Sequence, residues 1–396
     1  MIKSAFLQSL VEKPLSGEWG NGSGETKVIR TANFSNQGRI DFTNIVTRNI
    51  SDNKVQSKRL FKEDIIIEKS GGSPAQPVGR VVFFDKEGVY LCNNFTAILR
   101  PIKSKVIPKY LHYILFCNHK FGFVRKFQNK TTGIINLQLP KYIKNTQIPL
   151  PPLAEQKKIA AILDAADRLR QKDAQLIDHY TTLSQSLFLD MFGDPVTNPM
   201  GFEKGTVRDL LTTAKYGTSA KAQDNGKYSY LRMNNITYEG AMDFRSLKYI
   251  NLKEADKPKY LVKKGDILFN RTNSKELVGK TGLFNEDQEM AIAGYLIRLR
   301  TNDKANPYFI WAYLNSKHGK VVLRHMCKSI VGMANINAQE LQNIKILLPP
   351  ITLQNQFAER IQHIEAQKQQ AQASLEQSNN LFNSLLQKAF TGELTA

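Results

Sequence analysis

Two stretches decide the organisation of this chain. They are Leu150-Pro151-Pro152-Leu153-Ala154-Glu155-Gln156 and Leu348-Pro349-Pro350-Ile351-Thr352-Leu353-Gln354. Proline fixes φ and needs no amide donor, so a proline pair followed by an uninterrupted run sets the first turn of a helix. After each opening the chain runs without Pro or Gly to a glycine stop, at Gly193 and at Gly392. Each of the spans 150–193 and 348–392 therefore reads as one long helix. At 1.5 Å of rise per residue, such a helix would be roughly 55 Å long and could serve as a spacer.

Apolar residues in the first span recur at alternating three- and four-residue steps through Ile159, Ile162, Ala166, Leu169, Leu176, Tyr180, Leu183 and Leu187, interrupted by Asp173. The second span repeats the pattern with Phe357, Ile361, Ile364, Ala371, Leu375, Phe382, Leu385 and Ala389, interrupted by Lys368 and Ser378. That spacing predicts two seams able to pack on each other as an antiparallel coiled coil.

The helices match at an offset of 198 residues, and the match extends into the segments before them. Ile29-Arg30-Thr31-Ala32-Asn33-Phe34 faces Leu231-Arg232-Met233-Asn234-Asn235-Ile236 at an offset of 202, as Asp64-Ile65-Ile66 faces Asp266-Ile267-Leu268. Val78-Gly79-Arg80 meets Val278-Gly279-Lys280 at 200, and Pro108, Leu115, His119 and Arg125 meet Pro307, Leu314, His318 and Arg324 at 199. One unit of about 200 residues is thus written twice, as globe, helix, globe, helix. Two copies fall short of the three or more that a solenoid needs. The boundaries expected are 1–149, 150–195, 196–347 and 348–396. Within the first globe, 28–34, 64–67, 78–84 and 90–99 read as strands and 109–124 as a helix, with a partner helix at 308–323. The fold class is α+β, duplicated about a pseudo-two-fold relation.

The net charge of +20 is unevenly placed. Residues 154–190 hold five basic and six acidic side chains, 351–390 hold three of each, and 391–396 add only Glu393, so the globes carry about +22. Basic globes on neutral helices suit a polyanion at the globes and protein at the helices. Cys92, Cys117 and Cys327 have no paired spacing, and no run reaches the roughly 18 apolar residues of a membrane span. A cytoplasmic protein with no membrane partner is expected.

Catalytic patterns are missing. Asp64 with Glu68-Lys69 resembles a nuclease carboxylate cluster, but the second copy has Asn270-Arg271 there. The run Gly20-Asn21-Gly22-Ser23-Gly24 reads as a flexible loop, and Leu150-Pro151-Pro152-Leu153 lacks the closing aromatic of an amino-methyltransferase tetrapeptide. His112, His119, His179, His318, His325 and His363 show no metal-ligand spacing, so no metal site is expected. What the globes offer is cationic and amide side chains on loops, the types that contact phosphate and base edges. The DNA-binding candidates in the first globe are Arg30, Asn33, Lys69, Ser70, Ser73, Gln76, Arg80, Asn93, Asn94, Lys126 and Lys130. Those in the second are Tyr216, Thr218, Arg232, Asn234, Asn235, Arg271, Asn273, Lys275 and Lys280.

The double-proline, Gln-led helices, the stop at Phe390-Thr391-Gly392-Glu393-Leu394 and the loops around Ile65–Ser73 and Gly332–Asn337 together resemble the specificity subunit of type I restriction-modification systems. The resemblance covers essentially the whole chain. It implies two target-recognition domains, each reading half of a bipartite double-stranded DNA target, with the helices as ruler and docking surface for two methyltransferase subunits. It also implies restriction and translocase subunits as further partners, with S-adenosylmethionine, ATP and Mg confined to the partners and no cofactor in this non-catalytic chain. Two alternatives are a stand-alone sequence-specific DNA-binding regulator and the recognition part of a fused restriction-methylation enzyme. The divergence of Glu68-Lys69 from Asn270-Arg271 is the expected result if each half reads different bases.

Overall fold

The computed structural model describes residues 3–73, 76–131, 134–330 and 333–394. The chain divides into two compact units, one of residues 1–173 and 373–396 and the other of residues 174–372. Each unit takes half of each long helix.

Unit 1 is built on the strand Ile65–Glu68, at whose core Ile65, Ile66 and Ile67 are all inaccessible to solvent. Successive side chains of a strand point to opposite faces, so a continuous apolar run requires cover on both. Ile65 and Ile67 face a core shared with the helix Pro108–Lys120 and the long helices, while Ile66 faces a second core with Ile29, Val82 and Phe84. The strand lies inside a sheet ordered Leu15–Ser16, Thr96–Leu99, Ile65–Glu68, Val81–Phe83. Across the second core lies a sheet of Val46–Asn49, Asn21–Ile29 and Tyr90–Cys92, the last pair parallel.

Unit 2 repeats this scheme. Ile267 and Phe269 face the helix-side core and Leu268 the second one. Its sheets run Leu211–Tyr216, Leu296–Thr301, Ile267–Asn270, Thr281–Leu283 and Lys248–Ile250, Tyr228–Leu231, Met290–Ile292, Leu261–Val262. Matching glycines mark where the sheets cross: a Cβ on Gly17 would lie 2.1 Å from the Asn93 carbonyl oxygen, and one on Gly217 would lie 2.3 Å from that of Ala293.

The expected long helices span Leu153–Phe192 and Ile351–Thr391. Their leading glutamines explain the motif. Gln156 accepts from the Ile107 amide (2.9 Å) and donates to the Pro151 carbonyl (2.8 Å), while Gln354 accepts from the Asn306 amide (2.9 Å) and donates to the Pro349 carbonyl (2.8 Å). Each buried amide therefore ties a helix start to its globe.

The helices pair antiparallel. In unit 1, Arg170 lies over the Phe382 ring at 3.9 Å and Ser378 donates to Asp173 at 2.9 Å; in unit 2, Ser184 donates to Glu365 at 3.1 Å and Phe188 meets Phe357 at 5.9 Å. The seam on the distal helix holds as expected at Phe357, Ile361 and Phe382, with Ile364, Leu375 and Leu385 half-buried. On the central helix every other position is corrected. Ile162, Leu169, Leu176 and Leu183 are 39%, 44%, 41% and 49% exposed, and the buried line instead runs through Leu163, Arg170 and the half-buried Ile177 and Ser184, one residue later. Tyr180 and Leu187 are half-buried beside it. Apolar periodicity selected the leucines, whereas the packed line carries Arg170, which bonds to Asp167 on its own helix and covers the Phe382 ring, and Asp173 and Ser184, which bond across the helix pair.

Two smaller readings also change. The glycine-rich run expected as a loop enters the strand Asn21–Ile29, where a Cβ on Gly24 would sit 2.4 Å from the Asn49 amide. The helix expected over 308–323 is two, Pro307–Asn315 and Lys317–Met326, because Ser316 leaves the helical conformation and its hydroxyl caps the second by accepting from the Gly319 amide.

Candidate nucleic-acid interface

The third sheet of each unit brings distant candidates together. In unit 1, Ser70–Gly72 pairs with the hairpin strand Ile134–Leu137, which pairs with Gln128–Thr131. The Lys69 amide donates to the Phe95 carbonyl at 2.8 Å, which draws in the 93–95 turn. One cluster results, containing Ser16, Lys69, Ser70, Asn94, Phe95 and Asn136. Lys69 Nζ donates to Ser16 Oγ at 2.5 Å, Ser70 Oγ donates to Asn136 Oδ1 at 2.5 Å, and Asn94 and Phe95 are exposed. Burial holds the Lys69 ammonium below the usual lysine pKa range.

Unit 2 forms the same cluster from different side chains. Thr272–Asn273, Met333–Asn335 and Lys328–Ile330 make the small sheet. The Arg271 amide donates to the Tyr295 carbonyl at 3.0 Å, the counterpart of the bond from Lys69 to Phe95. The Arg271 guanidinium lies 4.9 Å from the Tyr216 ring centroid and donates to Asn335 Oδ1 at 3.2 Å. Tyr216 and Tyr295 are 40% and 50% exposed, and the Tyr216 hydroxyl accepts from the Ala338 amide. Both units thus present a cation beside an amide and an exposed aromatic, a set that suits phosphate contact, base-edge hydrogen bonding and stacking.

Other candidates are at the surface but outside these clusters. Ser73, Gln76, Lys126, Asn234 and Lys275 are exposed, and Asn273 is half-buried with its side chain accepting from the Ser274 amide. Lys130 lies in the strand Gln128–Thr131, and its side chain lies outside the described residues.

Several candidates need correcting, because their polar atoms hold backbone. Asn33, 3% exposed, accepts from the Arg30 amide and donates to the Asp41 and Asn44 carbonyls; Asn235, 1% exposed, does the same with Arg232, Asp243 and Ser246. Arg30 and Arg232 are half-buried, each donating to one of those carbonyls, Asn44 at 3.0 Å and Ser246 at 3.1 Å. Arg80 is buried in a two-pronged pair with Glu68 (2.8 and 3.0 Å) and reaches the Thr31 and Phe34 carbonyls. Lys280 is buried, donating to the Met233 carbonyl at 2.7 Å and to that of Ile236. Thr218 is buried with its hydroxyl accepting from the Ala220 amide, and Asn93 is 4% exposed. The expectation that these side chains stand free on loops fails because most of them bond to backbone carbonyls and amides and close turns, while Asn93 is simply buried, its Oδ1 without a hydrogen-bond partner among the described residues.

The acidic residues that resembled a nuclease cluster are also structural. Asp64, 1% exposed, holds Arg100 at 2.8 and 2.9 Å, as Asp266 holds Arg300 at 2.7 and 3.0 Å. The carboxylates keep the arginine pKa values above their usual range. Among the described residues no cluster of three or more His, Cys, Asp or Glu could hold a metal ion, and no helix is long and apolar enough to cross a membrane.

Sequence reading missed Ser16, Phe95, Asn136, Tyr295 and Asn335 as members of these clusters. The repeat held the signal, since Lys69, Phe95 and Asn136 fall opposite Arg271, Tyr295 and Asn335 at offsets of 202, 200 and 199.

Comparison with known proteins agrees with this architecture. The model of the type I restriction modification DNA specificity domain matches residues 20–178 and 199–377. The chain is 28% identical to the type I restriction enzyme EcoKI specificity subunit of Escherichia coli K12 over 394 residues, covering 93% of this chain and 82% of that one. It is 27% identical to the StySPI specificity subunit of Salmonella potsdam, with the same coverage of both. The crystal structure of a type I restriction-modification S subunit from M. genitalium superposes with a TM-score of 0.62 at 16% identity, covering 98% of this chain and 96% of that one.

Proposed function

Because the chain belongs to the type I restriction modification DNA specificity family, we propose that it reads a bipartite double-stranded DNA target, one half-site per unit. It is a non-catalytic specificity subunit of such a system. The observation that carries the half-site reading is the matched pair of clusters. Lys69 with Phe95 and Arg271 with Tyr295 occupy equivalent places on the same scaffold yet differ in chemistry. A duplicated fold with unlike readout side chains suits two unlike half-sites.

In this reading the long helices set the separation of the half-sites and carry two methyltransferase subunits, with restriction and translocase subunits joining through them. S-adenosylmethionine, ATP and Mg serve chemistry on those partners, and exposed apolar residues, Ile162 and Leu169 in unit 1 and Leu176 and Leu183 in unit 2, offer each unit apolar surface for a partner.

The test is an insertion of four residues in the central helix, which lengthens it by about 6 Å. Methylome sequencing of cells carrying the variant is expected to show both half-site sequences retained with a changed spacer. An unchanged spacer would refute the ruler; a single contiguous target would refute the half-site reading.

A further inference from the structure

At one level of the helix pair the two units differ in volume as well as in charge. In unit 1 the Phe382 ring is 1% exposed, lies 6.1 Å from the Tyr113 ring and 6.4 Å from that of Phe116, and is covered by Arg170. The repeat offsets place Ser184, Ala312, Asn315 and Lys368 at those four positions in unit 2. Three rings are lost and the cation is kept. The space they would fill is a half-open hollow of about 750 Å³, lined by these four residues over Phe188, Trp311 and Ile361.

The walls are pinned, so the hollow does not collapse. Trp311 Nε1 donates to the Gly240 carbonyl at 3.0 Å, Asn315 Nδ2 to the Thr281 carbonyl at 2.8 Å, and Ser184 Oγ to Glu365 at 3.1 Å. Interiors are close-packed, and an apolar space this large is a natural seat for a large side chain. One wall is basic: Lys317, Lys320 and Arg324 lie at i, i+3 and i+7 on the same face of their helix and all line it, facing Glu239, Glu365 and Asp194. Lys320 Nζ sits 4.9 Å from the Tyr238 ring centroid and 3.5 Å from the Gly279 carbonyl oxygen, and burial brings its pKa down to about 8.

We propose that this hollow is a socket for an aromatic side chain of a partner protein, carried beside an acidic residue. The proposal rests on the scaffold reading above. The ring is argued from unit 1, where the same framework holds a phenylalanine under a cation, and the acid from the basic wall. A protein rather than DNA is argued from Leu183 and Leu189 of the central helix, 49% and 50% exposed, with Leu189 itself in the wall. They extend apolar surface past the hollow that a protein would cover and a phosphate backbone would not.

The test uses the full chain co-expressed with the methyltransferase subunit of its own system. Val321, in the wall and 50% exposed, is replaced by the photo-crosslinker p-benzoylphenylalanine. The expected adduct joins position 321 to a methyltransferase peptide in which an aromatic residue lies within about two positions of Asp or Glu; adducts only to DNA, or none from an assembled complex, overturn the proposal. Ser184→Phe and Ala312→Tyr each restore one ring of unit 1. Either variant, folded by its thermal melt, is expected to weaken methyltransferase binding at least about tenfold, the scale of a lost aromatic anchor. Unchanged affinity in both overturns it. Failure of the wild-type chain to bind the methyltransferase at all breaks the scaffold reading, and the socket with it.

Discussion

The two units place their shared strands in the same order, unit 2 adding Leu261–Val262, yet at equivalent buried positions they solve the same problem with different groups. At the end of the central strand unit 1 buries a charge pair, Glu68 with Arg80, whose guanidinium also caps the Thr31 and Phe34 carbonyls. Unit 2 has Asn270 and Lys280 there, and the ammonium alone caps the matching carbonyls of Met233 and Ile236. The side-chain amide of Asn270 has no hydrogen-bond partner among the described residues. What the fold conserves is a cation that closes the turn after the preceding strand. The acid is an addition of unit 1.

Breaking that comparison gives the largest effect. Glu68→Gln leaves the Arg80 cation buried without its counter-charge and is expected to cost about 3–5 kcal/mol in urea denaturation. Asn270→Ala, at the equivalent place, is expected to stay within about 1 kcal/mol, since its side-chain amide makes no hydrogen bond among the described residues. Equal losses would show that the two sites do the same work. Phe382→Ala should also cost about 3–5 kcal/mol by opening a cavity in unit 1, while Ser184→Ala in unit 2 changes stability by less than about 1 kcal/mol. The same denaturation curves check both.

The next contrast is in pH. His112 is buried in unit 1, with its pKa pushed down to about 3 by burial, where unit 2 has Trp311. Below the ordinary histidine value of 6.5 the unfolded chain binds a proton that the folded chain resists. Stability is therefore lost as pH falls from about 6.5 towards 3, on the order of a few kcal/mol in full. His112→Phe should flatten the denaturation midpoint across pH 6.5 to about 4; an unchanged slope would assign the acid sensitivity to other groups. The smallest expected effect is at the surface. Arg271→Ala should weaken DNA binding by about 1–3 kcal/mol and relax sequence preference in one half-site only, read by methylation sequencing. Relaxation in both half-sites would sever the assignment of one half-site to each unit.

Much of this architecture is legible in the sequence. The proline pairs and glycine stops mark both long helices to within a few residues, and the drifting offset aligns the strands of the two units from sequence alone, because caps and apolar periods are local rules. The candidate site is half legible. Lys69 and Arg271 are read correctly as cationic loop residues, whereas Asn33, Asn235, Arg80 and Lys280 are identical in type to surface readers and prove to be buried.

The sequence by itself determines the duplication, the two helices, the basic globes and the family. Only the tertiary structure decides which helix face is the seam, since the packed line carries buried Arg170, Asp173, Lys368 and Ser378 and half-buried Ser184, and hydropathy cannot select polar residues such as Asp173 and Ser184, whose partners Ser378 and Glu365 lie some 200 positions away. It also decides that Ser16, Lys69, Phe95 and Asn136 meet, because strand pairing between remote segments is a long-range outcome that no local pattern encodes.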